Sequence, residues 1–521
     1  MSSPTNSNGA AGASAARDAV MNSRESKICS NRSERIVILL FCFAAALRVF
    51  IFSAAFPFFS NVDESLHFDL IIQYSRGHLP RSFDRLTEET LNWIVPYASP
   101  EFLIAPDQFP EAKYPPPLWK QTGPQVEPDI AATKAAWSGE INFESSQPPL
   151  YYIVTSIWWW LGKRIGLLGI QALYWIRFLN VLLIALVVWL SYVTAQMIAP
   201  ERVEFRVGVP LLIAFLPQNV FYAINNDILS PLCFGLLFLC SLQWLRAQRG
   251  SVWLGAVTGL AGAAAYLTKL STVPLIAVAL VVVLAKLLLI LRRTPRAGVV
   301  ALAALFFLAA IPIGIWVVWT KIHFGDATGS TEKVMLLGWT GKPFHDWWQH
   351  PIFTPHGLWV FWSSLMTSFW RGELTWHGRM LDWGPVDALF AISSLILPAS
   401  AGIGVAAAIG LSSFQRQAVG LSIAICAAGI LFLALLSIEF DFGNSTGPSR
   451  AHPYFTAGRL LAGALIPFAI CYVYGLIVML RPAKSAVLPL AIIASLIVFV
   501  AVSEIGTNRV VFASEHNWFH R

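Results

Sequence analysis

Charge is what this chain has least of. Of its 521 residues only 12% are Asp, Glu, Lys or Arg, while 56% are hydrophobic. A soluble domain averages about 25% charged residues, and no water-soluble core could hide this much apolar surface. The mean hydropathy of +0.61 agrees. Cysteine is also scarce. Cys29, Cys42, Cys233, Cys240, Cys426 and Cys471 lie mostly inside apolar runs and form no CxxC, which excludes a disulfide framework and a cysteine zinc site. Internal repeats are missing, and charges inside the apolar runs are few, Arg48 being the main exception. A transporter would instead show mid-membrane ionisable residues and two related halves. The net charge of +7 is no nucleic-acid signal, because the Lys and Arg sit mostly in short links between apolar runs.

What the chain does have is apolar runs of about 18 residues or more, the length needed to cross the hydrocarbon layer. Crossings are expected near 36–59, 175–198, 207–224, 227–245, 252–270, 272–291, 298–319, 386–411, 417–438, 456–480 and 485–503. The fold class is therefore an all-α polytopic membrane protein of about eleven (10–13) transmembrane helices. The 21 Trp suit its long water–lipid boundaries. Residues 1–34 are polar, rich in Ser, Ala and Asn, and expected to be a disordered cytoplasmic N-terminus. The run from Ile36 exceeds a signal-peptide core of about 7–15 residues, so an uncleaved first helix is expected.

The run 148–162, PPLYYIVTSIWWWLG, is short and is followed at once by Lys163 and Arg164. Runs of this length are more often interfacial than spanning. The positive-inside rule decides the matter. If 148–162 does not span, Arg202, Arg206, Arg246, Arg249, Lys286, Arg292, Arg293, Arg296, Arg416, Arg481 and Lys484 all fall inside. The long polar segments 60–174, 320–385 and 439–455 then face outside. The organisation expected is a transmembrane module over 35–319 that includes the large first outer loop 60–174 with its juxtamembrane helices. A second outer loop over 320–385, C-terminal helices over 386–503 and a short outer tail, 504–521, complete it.

The outer segments hold the residues that could carry chemistry. Asp63 and Glu64 follow the first helix, where partial desolvation makes a carboxylate a better proton acceptor; an ordinary hydrated helix end is the plain alternative. His67 follows, as a hydrogen-bonding or interfacial residue or as part of a site. Gln147 and Tyr151 flank the Pro148–Pro149 helix start. Asp227, in Asn225-Asn226-Asp227, reads either as a helix cap or as a site acid. Lys269 and Arg459 are outer cations at the ends of apolar helices: they either snorkel or meet an anion such as a lipid phosphate, which a planar guanidinium matches well. Arg371 and Arg379 lie in aromatic surroundings that suit sugars and phosphates, or an amphipathic helix on the membrane.

Taken in order, these pieces resemble the GT-C superfamily of membrane glycosyltransferases: protein O-mannosyltransferases, aminoarabinose transferases and a bacterial branch of similar membrane proteins. The motifs are Asp63-Glu64, a large first loop, Gln147-Pro148-Pro149-Leu150-Tyr151-Tyr152, Asn226-Asp227, Thr268-Lys269, Ser368-Phe369-Trp370 and Gly458-Arg459-Leu460-Leu461. The resemblance implies a GT-C-like fold in a bacterial inner (plasma) membrane, N-terminus cytoplasmic and C-terminus outside. It implies inverting transfer of a sugar from a polyprenyl-phosphate-linked donor to a glycan, lipid or protein acceptor at the extracytoplasmic face. Asp63 would be the base and Glu64 its alternate or a positioning residue. Lys269 and Arg459 would neutralise the phosphate, with Arg371 and Arg379 behind them, and His67, Gln147, Tyr151 and Asp227 would line the substrate site. Many relatives carry two acidic motifs and only one is evident here, so no cofactor is called for and a divalent metal stays an option. The competing readings are a polysaccharide polymerase or ligase with its site in 320–385, a transporter or flippase, and a non-catalytic scaffold.

Overall fold

A computed structural model describes residues 8–520 except 61, 125, 446, 484 and 486, with side chains from residue 32 onward. Most of the 1–34 segment, expected to be disordered, therefore lies outside the residues whose side chains are described.

The chain is helical almost throughout. Its α-helices are α1 (Asn8–Ala55), α2 (Glu64–Ser75), α3 (Glu88–Tyr97), α4 (Val126–Trp137), α5 (Leu150–Arg164), α6 (Gly169–Ile198), α7 (Val203–Phe215), α8 (Ser230–Arg246), α9 (Val252–Thr268), α10 (Val273–Arg293), α11 (Pro295–Phe324), α12 (Ser330–Leu336), α13 (Pro355–Arg371), α14 (Gly384–Ala406), α15 (Ser413–Glu439), α16 (Leu465–Leu480), α17 (Val487–Thr507) and α18 (Arg509–Phe512). Among the described residues strands are confined to two-residue ladders, one of which pairs Thr340–Gly341 with Phe440–Asp441 and so ties the second loop to the third.

Among the described residues, nine helices are long and apolar enough to cross a membrane. Two shorter helices lie where the sequence places further crossings. The α9 helix has 17 residues and runs from the basic link at Ser251 to Lys269. The α7 helix has only 13, and the chain finishes that crossing as irregular backbone over 216–229, where the sequence suggested helix to 224. Proline at 210 and 217 deprives the helix of amide donors. Irregular backbone at membrane depth needs partners inside the protein, and here it has them. The Asn180 side-chain amide donates to the carbonyls of Phe221 and Ala223, both at 2.9 Å, and Arg48 donates to that of Leu216 at 2.9 Å.

The α5 helix, 15 residues long, is not among the helices long and apolar enough to cross. Its first turn meets the first loop through Tyr152, and its last turn places the Lys163 ammonium 5.3 Å from the ring of Trp93 in α3. Both ends thus lie on the first-loop side, as the basic links implied. The α9 and α11 helices pack backbone to backbone. A Cβ at Gly255 or Gly259 would stand 2.2 or 2.4 Å from the carbonyl oxygens of Ala301 and Leu305, the small-residue contact that drives helix association in lipid.

Candidate functional site

Three helix ends break into 3₁₀ turns at one face of the bundle: Asn226–Leu229 before α8, Leu270–Thr272 after α9, and Gly458–Ala464 before α16. Each break carries or directly follows a charged residue, and the breaks meet. Arg459 is the hub. Its Nη2 lies 3.1 Å from Asp63 Oδ2, its Nε 3.3 Å from Glu373 Oε2 and its Nη1 3.8 Å from Asp227 Oδ2. Lys269 Nζ donates to Asn226 Oδ1 at 2.6 Å and lies 3.2 Å from Asp227 Oδ1. Three carboxylates and two cations, drawn from five separate segments, form one cluster. Among the described residues Asp63 accepts a hydrogen bond from Arg459, while Glu373 and Asp227 meet it as ion pairs.

The local folding explains the positions. Asp63 stands before the first turn of α2 in a left-handed conformation, φ 58°, which turns its side chain away from its neighbour's. Glu64 points inward. Its carboxylate is fully buried and bound edge-on by Arg177 of α6, Nε to Oε1 and Nη2 to Oε2, both at 2.7 Å. The Ser60 and Ile224 amides donate to it at 3.0 and 2.9 Å. Arg177 spends its remaining donors on the carbonyls of Ser53, Phe56 and Pro57 at the end of α1. The acidic pair is thus split: one carboxylate fastens α1, α6 and the 216–229 segment together, and the other faces the cluster, 22% exposed.

Asn225, and not Asp227, caps the 3₁₀ turn, accepting from the Asp227 amide at 2.8 Å. The Asp227 carboxylate is left for Lys269 and Arg459. Asn226 bridges the halves of the site: its oxygen takes Lys269, and its amide donates to Gln147 Oε1 at 3.2 Å. Ser368 joins the second loop to it, donating to Glu373 at 2.7 Å and accepting from the Gly458 amide at 2.7 Å. A Cβ on Gly458 would stand 2.1 Å from the Phe369 amide nitrogen, so glycine is what lets the α16 turn close on α13.

Behind the cluster lies a second, buried layer. His67 Nδ1 is 2.8 Å from the Tyr152 hydroxyl. Burial drops the His67 imidazole to about 3, with Lys269, Arg459 and Lys333 pushing the same way against Glu144. Buried Glu144 meets Lys333 of α12 at 2.8 Å. Burial alone would raise the Glu144 carboxyl, but Lys333, Lys269 and His67 hold it below the ordinary carboxylate range. Glu373 is lifted by loss of water contact, against the pull of Arg459. Tyr151 is buried against this layer, and burial raises its hydroxyl.

Of the residues proposed from sequence, Asp63, Asp227, Lys269, Arg459 and Gln147 are therefore brought together, with His67 and Tyr151 behind them. Arg371 and Arg379 are not. The Arg371 guanidinium turns toward α14 and is taken edge-on by Asp387, at 2.9 and 3.1 Å. Arg379 is exposed on a hairpin whose turn bonds to Glu101 and Phe102 of the first loop. Sequence reasoning missed Glu373, Arg177, Glu144 and Lys333. For Arg177 there was a signal, since an arginine inside an apolar span needs a buried partner. Glu373 lies five residues beyond Ser368, inside a stretch noticed for its aromatics. Among the described residues no group of three or more His, Cys, Asp or Glu is arranged to hold a metal ion; the Arg459 guanidinium fills the space between the three carboxylates.

This architecture is that of an integral membrane protein with a polar cluster at one face of its helix bundle. Residues 46–438 match the family described as "Predicted membrane protein (DUF2142)", and the chain belongs to that family. No curated protein matches it. Among solved structures it is similar to the crystal structure of ArnT from Cupriavidus metallidurans bound to undecaprenyl phosphate, at 14% identity, 85% coverage of this chain, 78% of that one and a TM-score of 0.30.

Proposed function

We propose that this chain is a membrane glycosyltransferase that moves a sugar from a polyprenyl-phosphate-linked donor to an acceptor hydroxyl at the extracytoplasmic face, with inversion. The observation that supports this best is the cluster itself: a partly exposed carboxylate, Asp63, set against the cations Arg459 and Lys269 where three membrane helices break. A guanidinium offers five N–H donors in a planar fork, and Arg459 uses one of them in a close bond. A phosphate diester entering at the helix ends exchanges for the Asp63 carboxylate on Arg459 and leaves Asp63 free to accept a proton.

Transfer then balances simply. The acceptor hydroxyl gives its proton to Asp63, and its oxygen bonds to the anomeric carbon. The bond from that carbon to the phosphate oxygen breaks, with the electron pair staying on the phosphate. Arg459 and Lys269 offset the charge that develops there. Glu64 acts as a positioning residue, because Arg177 and two amides occupy its oxygens.

The test uses the purified chain in a bilayer, following loss of a radiolabelled sugar from a polyprenyl-phosphate donor. Asp63→Asn is expected to lower turnover by about 10²–10⁴-fold, the usual range for removing a general base. Arg459→Gln is expected to weaken donor binding as well. Wild-type rates in both variants would sink this reading.

A further inference from the structure

The opposite face of the bundle holds a second feature that the proposed reaction does not use. The start of α7, the end of α16, the turn at 409–410 and the start of α17 line an open cleft of about 230 Å³. Arg202 and Arg481 stand at its rim, and both act electrostatically on the Tyr474 hydroxyl. That hydroxyl donates to the Ile409 carbonyl at 2.9 Å, and the Arg202 guanidinium donates to the Gly410 carbonyl. Among the described residues neither arginine forms an ion pair, although Glu204 also lines the cleft. Two cations against one carboxylate leave the rim positive. Below it the wall turns apolar, with Ile477, Val478 and Pro489.

We infer that this cleft binds the phosphodiester head group of an anionic glycerophospholipid, its acyl chains following the apolar wall. Three features select that ligand. The guanidiniums sit just before α7 and just after α16, among the basic links, and planar forks match phosphate oxygens. Basic pockets between transmembrane helices on the basic face are a recurring form of lipid head-group site. The apolar wall continues the cleft toward the hydrocarbon layer, a surface for which a free phosphate ion has no use.

The experiment places the full chain in nanodiscs of phosphatidylcholine with a minor share of phosphatidylglycerol, extracts it gently and counts retained lipids by native mass spectrometry. The wild type is expected to retain phosphatidylglycerol over phosphatidylcholine. R202Q/R481Q is expected to reduce that retention about tenfold or more, R202K/R481K to keep most of it, and R481Q alone, which leaves the Gly410 contact intact, to fall between. Millimolar inorganic phosphate is expected to leave retention unchanged. Equal retention by wild type and both Gln variants overturns the proposal, and so does equal retention of phosphatidylcholine. Full displacement by inorganic phosphate overturns the lipid assignment in favour of a free-phosphate site.

Discussion

At the scale of single residues, the neighbours Asp63 and Glu64 have opposite fates. Breaking a buried ion pair from one side costs about 3–5 kcal/mol, because the other charge is stranded. Glu64→Gln is therefore expected to lower thermal stability sharply, while Asp63→Asn leaves the melting curve near that of wild type. Melting both variants in the same bilayer checks the contrast, and equal stability losses would contradict the division of labour between the two. His67 gives a pH test. Its folded value of about 3 lies below its ordinary value of about 6.5, so the unfolded chain binds the extra proton between these limits. Stability from this group is complete above about pH 6.5 and is lost as pH falls toward 3. His67→Gln should flatten that part of a melting-against-pH series; an unchanged slope would mean that another group carries it.

At the scale of elements, the site depends on where helices stop. The α16 helix begins with a 3₁₀ turn because Gly458 packs on the backbone of α13. Gly458→Ala adds a methyl where none fits, and overpacking of this kind costs about 1–3 kcal/mol. The expected outcome is a lower melting temperature together with weaker donor binding, since Arg459 moves with the turn. The α12 helix is fastened to the first loop by Lys333 and Glu144. Because Glu144 is held below the ordinary carboxylate range, this fastening survives mild acid and is lost only as pH falls through the lowered value. Lys333→Ala should raise amide exchange over 330–336 at neutral pH, and wild-type protection in that variant would show that the pair does not hold the helix. The α7–α8 crossing could not be drawn from hydropathy, because 216–229 stays apolar while leaving the helix. Its carbonyls are satisfied by Asn180 and Arg48, which lie far away in the chain.

At the scale of the whole molecule, contacts fix which ends share a face. The C-terminal tail rests on the first loop through Ser514 and Glu101, and Trp518 packs edge-on to Phe50 at 5.6 Å. Arg48, the isolated charge of the first span, meets Glu504 of the last at 3.2 Å, where the Tyr222 hydroxyl also donates to the carboxylate. The tail and Asp63 thus lie on one side of the bundle, while Glu34 at the start of the first span meets Arg206 of a basic link at its far end. A reporter fused after residue 521 is expected to be active only outside the cell, and one inserted at 249 only inside. The reverse pattern would invert the assignment of the site to the outer face.

What the sequence determined by itself was the series of apolar runs and the grouping of Asp63, Asp227, Lys269 and Arg459 on one face. Hydropathy and loop charge are summed locally along the chain, so these could be read without coordinates. Tertiary structure alone decided what each charge does. Glu64 and Arg177 are 113 residues apart and Asp63 and Arg459 396 apart, and only the packing of broken helix ends determines which of them meet. The same packing withdrew Arg371 to Asp387 and brought in Glu373. A side chain's partner depends on distance and burial, and neither is encoded in the residues beside it.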